Sequence, residues 1–174
     1  MVCAAATSRP DASFWRTIYS PKGPGFVLFI QSEDFTDEYQ VYSDNMAMAL
    51  WMNENLNQGK YTSSIEKNGV IEASCDSSGD PNYYWTETIT SMHEVIALTF
   101  TGIGDPLVSH REPGVTGKYG VTCTLVPCTE CRITLNGKAL EGKAWPTERP
   151  DGTPWSTAFL AFAETWTVAR PAAL

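Results

Sequence analysis

The chain has 174 residues, 43% hydrophobic and 18% charged, with twelve Lys and Arg against twenty Asp and Glu for a formal net charge of −8. That length suits one domain, and six Trp, seven Tyr and seven Phe supply ample material for a core. The basic residues are scattered, with no run of even three, which argues against the cationic footprint of a nucleic-acid binder or of a protein held on an anionic membrane surface.

In chain order, short runs rich in Val, Ile, Thr and aromatics alternate with clusters of Gly, Pro, Asn and Asp, the pattern of strands and turns. Met1–Trp15 lacks the basic and apolar regions of a signal peptide, so an intracellular, cytoplasmic protein is expected. Phe14–Tyr19 predicts the first strand, and Ser20–Gly25 breaks it. Phe26–Gln31 is nearly continuous apolar sequence and predicts a buried strand, followed by a short one over Tyr39–Tyr42. Asp44–Leu56 is the one helix candidate, with Asp44 as its N-cap, although an irregular strand is the alternative. Lys60–Glu66 and Val70–Cys75 flank Asn68-Gly69, which predicts a hairpin. Asn82–Thr90 and His93–Thr101 predict two long strands. Gly117–Val126 and Glu130–Leu135 predict a further hairpin around Pro127, Asn136-Gly137 turns the chain into Ala139–Trp145, and the last strand lies within Trp155–Val168. The expectation is a single all-β domain over residues 1–174, with 1–13 and 170–174 as flexible termini. Its architecture is an antiparallel β-barrel of about eight to ten strands with at most one short helix.

No apolar run approaches the roughly 20 residues that span a bilayer, so no membrane insertion is expected. No dinucleotide fingerprint, P-loop or nucleophile elbow occurs, and the two histidines, His93 and His110, are too few and too far apart for a His-rich metal site. No cofactor and no metal are therefore expected. Five cysteines, an odd number, fit reduced thiols better than a disulfide framework. Cys128-Thr-Glu-Cys131 has the C-x-x-C spacing but falls between two strand-like runs, away from any helix start, and is read as structural.

The stretch Leu98-Thr-Phe-Thr-Gly102, then Gly117-Lys-Tyr-Gly120, Ile133-Thr-Leu-Asn-Gly137-Lys, Gly142-Lys-Ala-Trp145, Glu148-Arg149 and Trp155 resembles the lipocalin-like superfamily of hydroxyneurosporene synthase (carotenoid hydratase) and AttH-type proteins. The resemblance covers roughly residues 95–168. It departs from that family in having room for one lipocalin-like domain where members typically have two, and in a shorter acidic-basic-aromatic cluster. It implies a lipocalin-like barrel and small apolar ligands. In members that are enzymes it implies hydration, isomerisation or cyclisation without a cofactor, here placed in secondary metabolism.

Strand alternation identifies polar side chains that share a face with apolar ones. Glu94 shares a face with Met92, Ile96, Leu98 and Phe100; Glu164 with Leu160, Phe162 and Trp166; Glu87 with Tyr83, Trp85 and Ile89. A carboxyl group among apolar neighbours is favoured in its neutral form and can serve as a proton donor, which makes Glu94, Glu164 and Glu87 the candidate catalytic residues. Each could equally be solvated, and a bulge would reverse the face. Arg132 faces away from Cys131, Ile133 and Leu135, and would pair with one of these carboxylates if its face were the interior. Tyr83, Trp85, Trp166, Trp51 and Trp145 offer apolar rings with a polar handle and are the candidate substrate-binding aromatics, with core packing as the competing role. Three functions follow: an isomerase, cyclase or hydratase acting on a small apolar metabolite without a cofactor; a carrier for such a molecule; or a filled barrel with an interaction role. A homodimer is left open.

Overall fold

The run Phe26-Val-Leu-Phe-Ile30 is buried along its whole length because its strand is covered on both faces. Phe26, Leu28 and Ile30 join the core inside the sheet, while Val27 and Phe29 pack with residues of two helices on the outside. Continuous apolar sequence is the signature of such double cover. The computed structural model describes residues 2–3, 11–33, 36–113 and 118–168.

Those residues form thirteen strands and two helices. β1 (Val2–Cys3), β2 (Asp11–Thr17), β3 (Gly25–Ser32) and β4 (Thr36–Ser43) precede α1 (Met46–Asn55) and α2 (Thr62–Asn68). β5 (Ile71–Asp80), β6 (Tyr84–Ser91), β7 (Val95–Ile103) and β8 (Leu107–Arg111) lead to β9 (Tyr119–Leu135), which is 17 residues long. β10 (Lys138–Ala139), a small hairpin of β11 (Pro146–Glu148) and β12 (Pro154–Ser156), and β13 (Ala158–Val168) complete the order. The main sheet pairs β13-β1-β2-β3-β4-β5-β6-β7 in sequence, and β9 pairs with both β13 and β7. The pairings thus run round to a closed circuit, an all-β, barrel-like sheet as the sequence predicts. No helix of the described residues is long and apolar enough to cross a membrane.

Every pairing in the circuit is antiparallel except β4 with β5, which run parallel and meet at two positions, Tyr42↔Ile71 and Ser43↔Glu72. Parallel neighbours need a crossover, and here α1 and α2 supply it. This corrects the expectation of at most one helix. Asn68-Gly69 does not turn a hairpin. Gly69 has φ 75° and its N–H reaches Ile65 O, so it ends α2. Positive φ serves a helix C-cap as well as a tight turn, and Tyr61, Ser64 and Ile65, spaced as a helix face, mark the difference. α1 begins one residue later than expected. Asn45 is its N-cap, accepting the Met48 N–H, while Asp44 accepts the N–H of Phe26.

Asn53 joins the two helices. Its side chain is buried, accepts the Tyr61 N–H at 2.9 Å and donates to Thr62 Oγ1 at 3.0 Å. Asn53→Ala should therefore cost about 1–2 kcal/mol, the value of two lost bonds to a buried side chain. Hydrogen exchange should show α2 opening more readily while β6 and β7 are unchanged.

The hairpin expected around Pro127 is one unbroken strand. The carbonyl of Pro127 accepts from Gly104 N, on the edge where the neighbouring chain breaks between β7 and β8, so the missing proline N–H leaves no acceptor waiting. Gly102 (φ 61°) lies across from Thr129 at the kink in this pair, and a Cβ there would overlap the Thr129 hydroxyl. On either side of the kink Phe100 and Ile103, and likewise Cys128 and Cys131, contribute to the same interior core. The strand expected over Ala139–Trp145 is reduced to β10; beyond it Leu140 is buried in the interior core and Ala144 packs against that core.

Candidate functional site

On β6 the side chains alternate as the sequence predicts, and Glu87 and Ile89 are buried inside the barrel, with Trp85 half-buried against the core. Much of the interior is filled: Leu28, Ile30, Ile89, Ile96, Phe100 and Leu160 are each 0% exposed, so no solvent-sized space touches them. Solvent reaches several interior positions around Glu87. They are Cys75 and Ser77 of β5, Trp85, and Arg16 of β2, whose side chain is 43% exposed.

Glu87, 4% exposed, is the hub of this cluster. Ser77 Oγ donates to its Oε2 at 2.6 Å, and the Trp85 indole N–H donates to Oε1 at 2.9 Å. The Arg16 guanidinium reaches Oε2 at 3.4 Å and also bonds the carbonyl of Cys75 at 3.2 Å and its sulfur at 3.0 Å. The sequence expectation was a carboxyl among hydrocarbon, acting as a proton donor. The neighbours are instead hydrogen-bond donors, so the group stands as an acceptor. Burial, partly offset by Arg16, pushes the Cys75 thiol up to about 12. Because thiolate is the reacting form, Cys75 should be alkylated by iodoacetamide at pH 8 far more slowly than an unfolded cysteine, and at the unfolded rate once urea opens the barrel. Peptide mapping of the labelled protein reads both rates.

Glu94 sits at the turn before β7. It accepts from the Tyr42 hydroxyl at 2.5 Å, and that hydroxyl also lies 2.6 Å from Gln40 Oε1. Burial and the bond to Glu94 hold the Tyr42 hydroxyl protonated well above the usual range. Ser91 closes the turn by donating its N–H to Glu94 O. Ser91 lies four positions along β6 from Glu87, or about 13 Å at strand rise, so the structure does not bring the two carboxylates together.

The remaining predicted residues are dispersed. Tyr83 is 72% exposed in the turn before β6. Trp51 lies on α1, edge-on to Tyr119 at 5.7 Å. Trp145 sits before β11 under the Lys143 ammonium, 4.4 Å from its ring. Arg132 is exposed opposite Thr99, facing out, so the cation inside the barrel is a different residue. Trp166 packs on Trp15 at 5.9 Å, away from the interior core that holds Leu160, because the register shifts between Ala161 and Ala163. Glu164 pairs with Cys123 through its backbone, and its side chain lies outside the described residues.

Sequence reasoning missed Arg16, Cys75 and Ser77. The signal was present: Ala12, Phe14 and Arg16 alternate on one face, as do Ala73, Cys75 and Ser77. Among the described residues no three His, Cys, Asp or Glu side chains group to hold a metal ion. No family model, curated protein or solved structure matches the chain.

Proposed function

We propose that the end of the barrel around Glu87 binds a small, largely apolar molecule, and that Glu87 exchanges a proton with it without a cofactor, as an isomerase or lyase does. The observation that carries this is a carboxylate, buried among half-exposed interior residues, with a ring, a hydroxyl and a guanidinium around it. Apolar lining with a few convergent polar groups is the usual composition of a small-molecule site, and a positioned carboxylate is an ordinary proton-transfer group. The resemblance to lipocalin-like carotenoid hydratases belongs to the same proposal. A reducing, cytoplasmic setting goes with it, since five cysteines, an odd number, fit reduced thiols better than a disulfide framework.

The second reading is a carrier of the same kind of molecule. It is favoured by the fact that both oxygens of Glu87 already accept from protein donors. One experiment addresses both. An apolar extract of the host is added to 15N-labelled protein, and the indole N–H resonance of Trp85, which is bonded to Glu87, is followed. A shift of that resonance, with recovery of an altered compound from the mixture, supports the enzyme; a shift with the compound recovered unaltered supports the carrier. A resonance that no fraction moves overturns the site.

A further inference from the structure

We infer that Arg16 and Glu87 work as a pair on a carbonyl compound, a small apolar ketone or ester with hydrogens on the carbon beside its carbonyl. This rests on the small-molecule site proposed above and narrows its substrate class.

The choice of class follows from charge. Protonation of an alkene builds positive charge on carbon, and a guanidinium 3.4 Å from the proton-transfer group opposes it. Removal of a proton beside a carbonyl builds negative charge on the carbonyl oxygen, which the same guanidinium stabilises. The arrangement of Glu87 as an acceptor agrees, because enolisation begins with a base.

The free valences are in the right groups. All three contacts of Arg16 with the barrel interior, to Glu87 Oε2 and to the Cys75 carbonyl and sulfur, are made through Nη2. Among the described residues that leaves the Nη1 amino group, at the end of the planar guanidinium, for an oxygen of the ligand. On Glu87, Oε2 is shared by Ser77, Arg16 and Cys75, whereas Oε1 accepts from Trp85 and keeps a second lone pair. The half-exposed Trp85 ring supplies an apolar wall beside it.

The step balances without another reagent. Glu87 Oε1 takes the proton from the carbon beside the carbonyl. The C–H electron pair becomes the new C=C bond, and the carbonyl π pair moves to oxygen, held by Arg16 Nη1. Return of the proton from Glu87 to the same carbon, or to the far end of a conjugated system, regenerates the carbonyl and gives racemisation or a double-bond shift. Asp44 also acts on Arg16 electrostatically. With Glu87 it leaves the region net negative, which favours a neutral carbonyl over a carboxylate ligand.

The test uses the full chain in D2O with 1-indanone and 2-decanone as probes and indane as the carbonyl-free control. Binding is read by saturation-transfer NMR and deuterium uptake by mass spectrometry. Uptake should exceed the buffer rate, fall to the buffer rate in Glu87→Gln, and fall about 10²–10³-fold in Arg16→Gln, the usual loss for one oxyanion donor. Indane binding should be the same in all three proteins. Arg16 is half-exposed, so its variant keeps the test open if Glu87→Gln does not fold. Arg16→Lys should restore part of the uptake. Uptake at the buffer rate with both probes bound, or uptake indifferent to either substitution, overturns the inference while the site stands. No binding of indane or of either ketone overturns the site and the inference together.

Discussion

Glu87→Leu is expected to destabilise the fold by about 2–3 kcal/mol, read as a lower urea midpoint with an unchanged slope. The leucine takes away the carboxylate to which the Ser77 hydroxyl and the Trp85 indole N–H both donate. Arg16 contributes less to this loss because its side chain is 43% exposed and can turn to water. Arg16→Leu should accordingly cost no more than about 1 kcal/mol. If Glu87→Leu instead matched or exceeded the parent, the carboxylate would be retained at the expense of stability, as groups kept for chemistry are. That outcome would count for a reacting role and against a purely structural one.

The second large effect lies at Gly102. With φ 61° and Thr129 directly across, an alanine there meets two penalties: left-handed backbone and overlap with the threonine hydroxyl. Gly102→Ala should cost about 3 kcal/mol, of which about 1–2 belong to the backbone. Adding Thr129→Ala removes the overlapping hydroxyl and should return part of the steric share, so the two substitutions are coupled rather than additive. Additive effects in a double-mutant cycle would mean that the strands do not approach here as described. Because Phe100, Ile103, Cys128 and Cys131 reach the same core across this kink, loss of the kink would also turn part of the wall outward.

Legibility in the sequence followed the range of each interaction. The closed β architecture was readable because alternation is local, and the Glu87 face on β6 came out as expected. Asn136-Gly137 was readable too, since both residues take positive φ, 51° and 82°, in the turn from β9 to β10. The identical dipeptide at Asn68-Gly69 misled, because a helix C-cap asks for the same conformation. Pro127 misled for a different reason: its place inside a strand depends on a break in the neighbouring chain between β7 and β8, which no local pattern encodes. Alternation was also carried too far on β13, where the shift between Ala161 and Ala163 separates Trp166 from the face of Leu160. Arg132 was weighed as the partner of a carboxylate on condition that its face was the interior, and it faces out. The residue that fills the place, Arg16, lies 71 positions from Glu87, and contacts across a barrel leave no trace in spacing.

The closing of the circuit has a consequence in time. β1 joins β13 through Val2↔Phe159, while β13 in turn flanks β9 along ten paired positions from Ala158↔Cys128 to Val168↔Tyr119. A chain emerging from the ribosome can zip β5, β6, β7 and β9 from neighbour to neighbour, yet the ring stays open until its last strand has been made. Pairings so distant along the chain are slow to find. Refolding is therefore expected to show a late, slow phase that tightens β1 and β13 after the remaining hairpins are already protected from exchange.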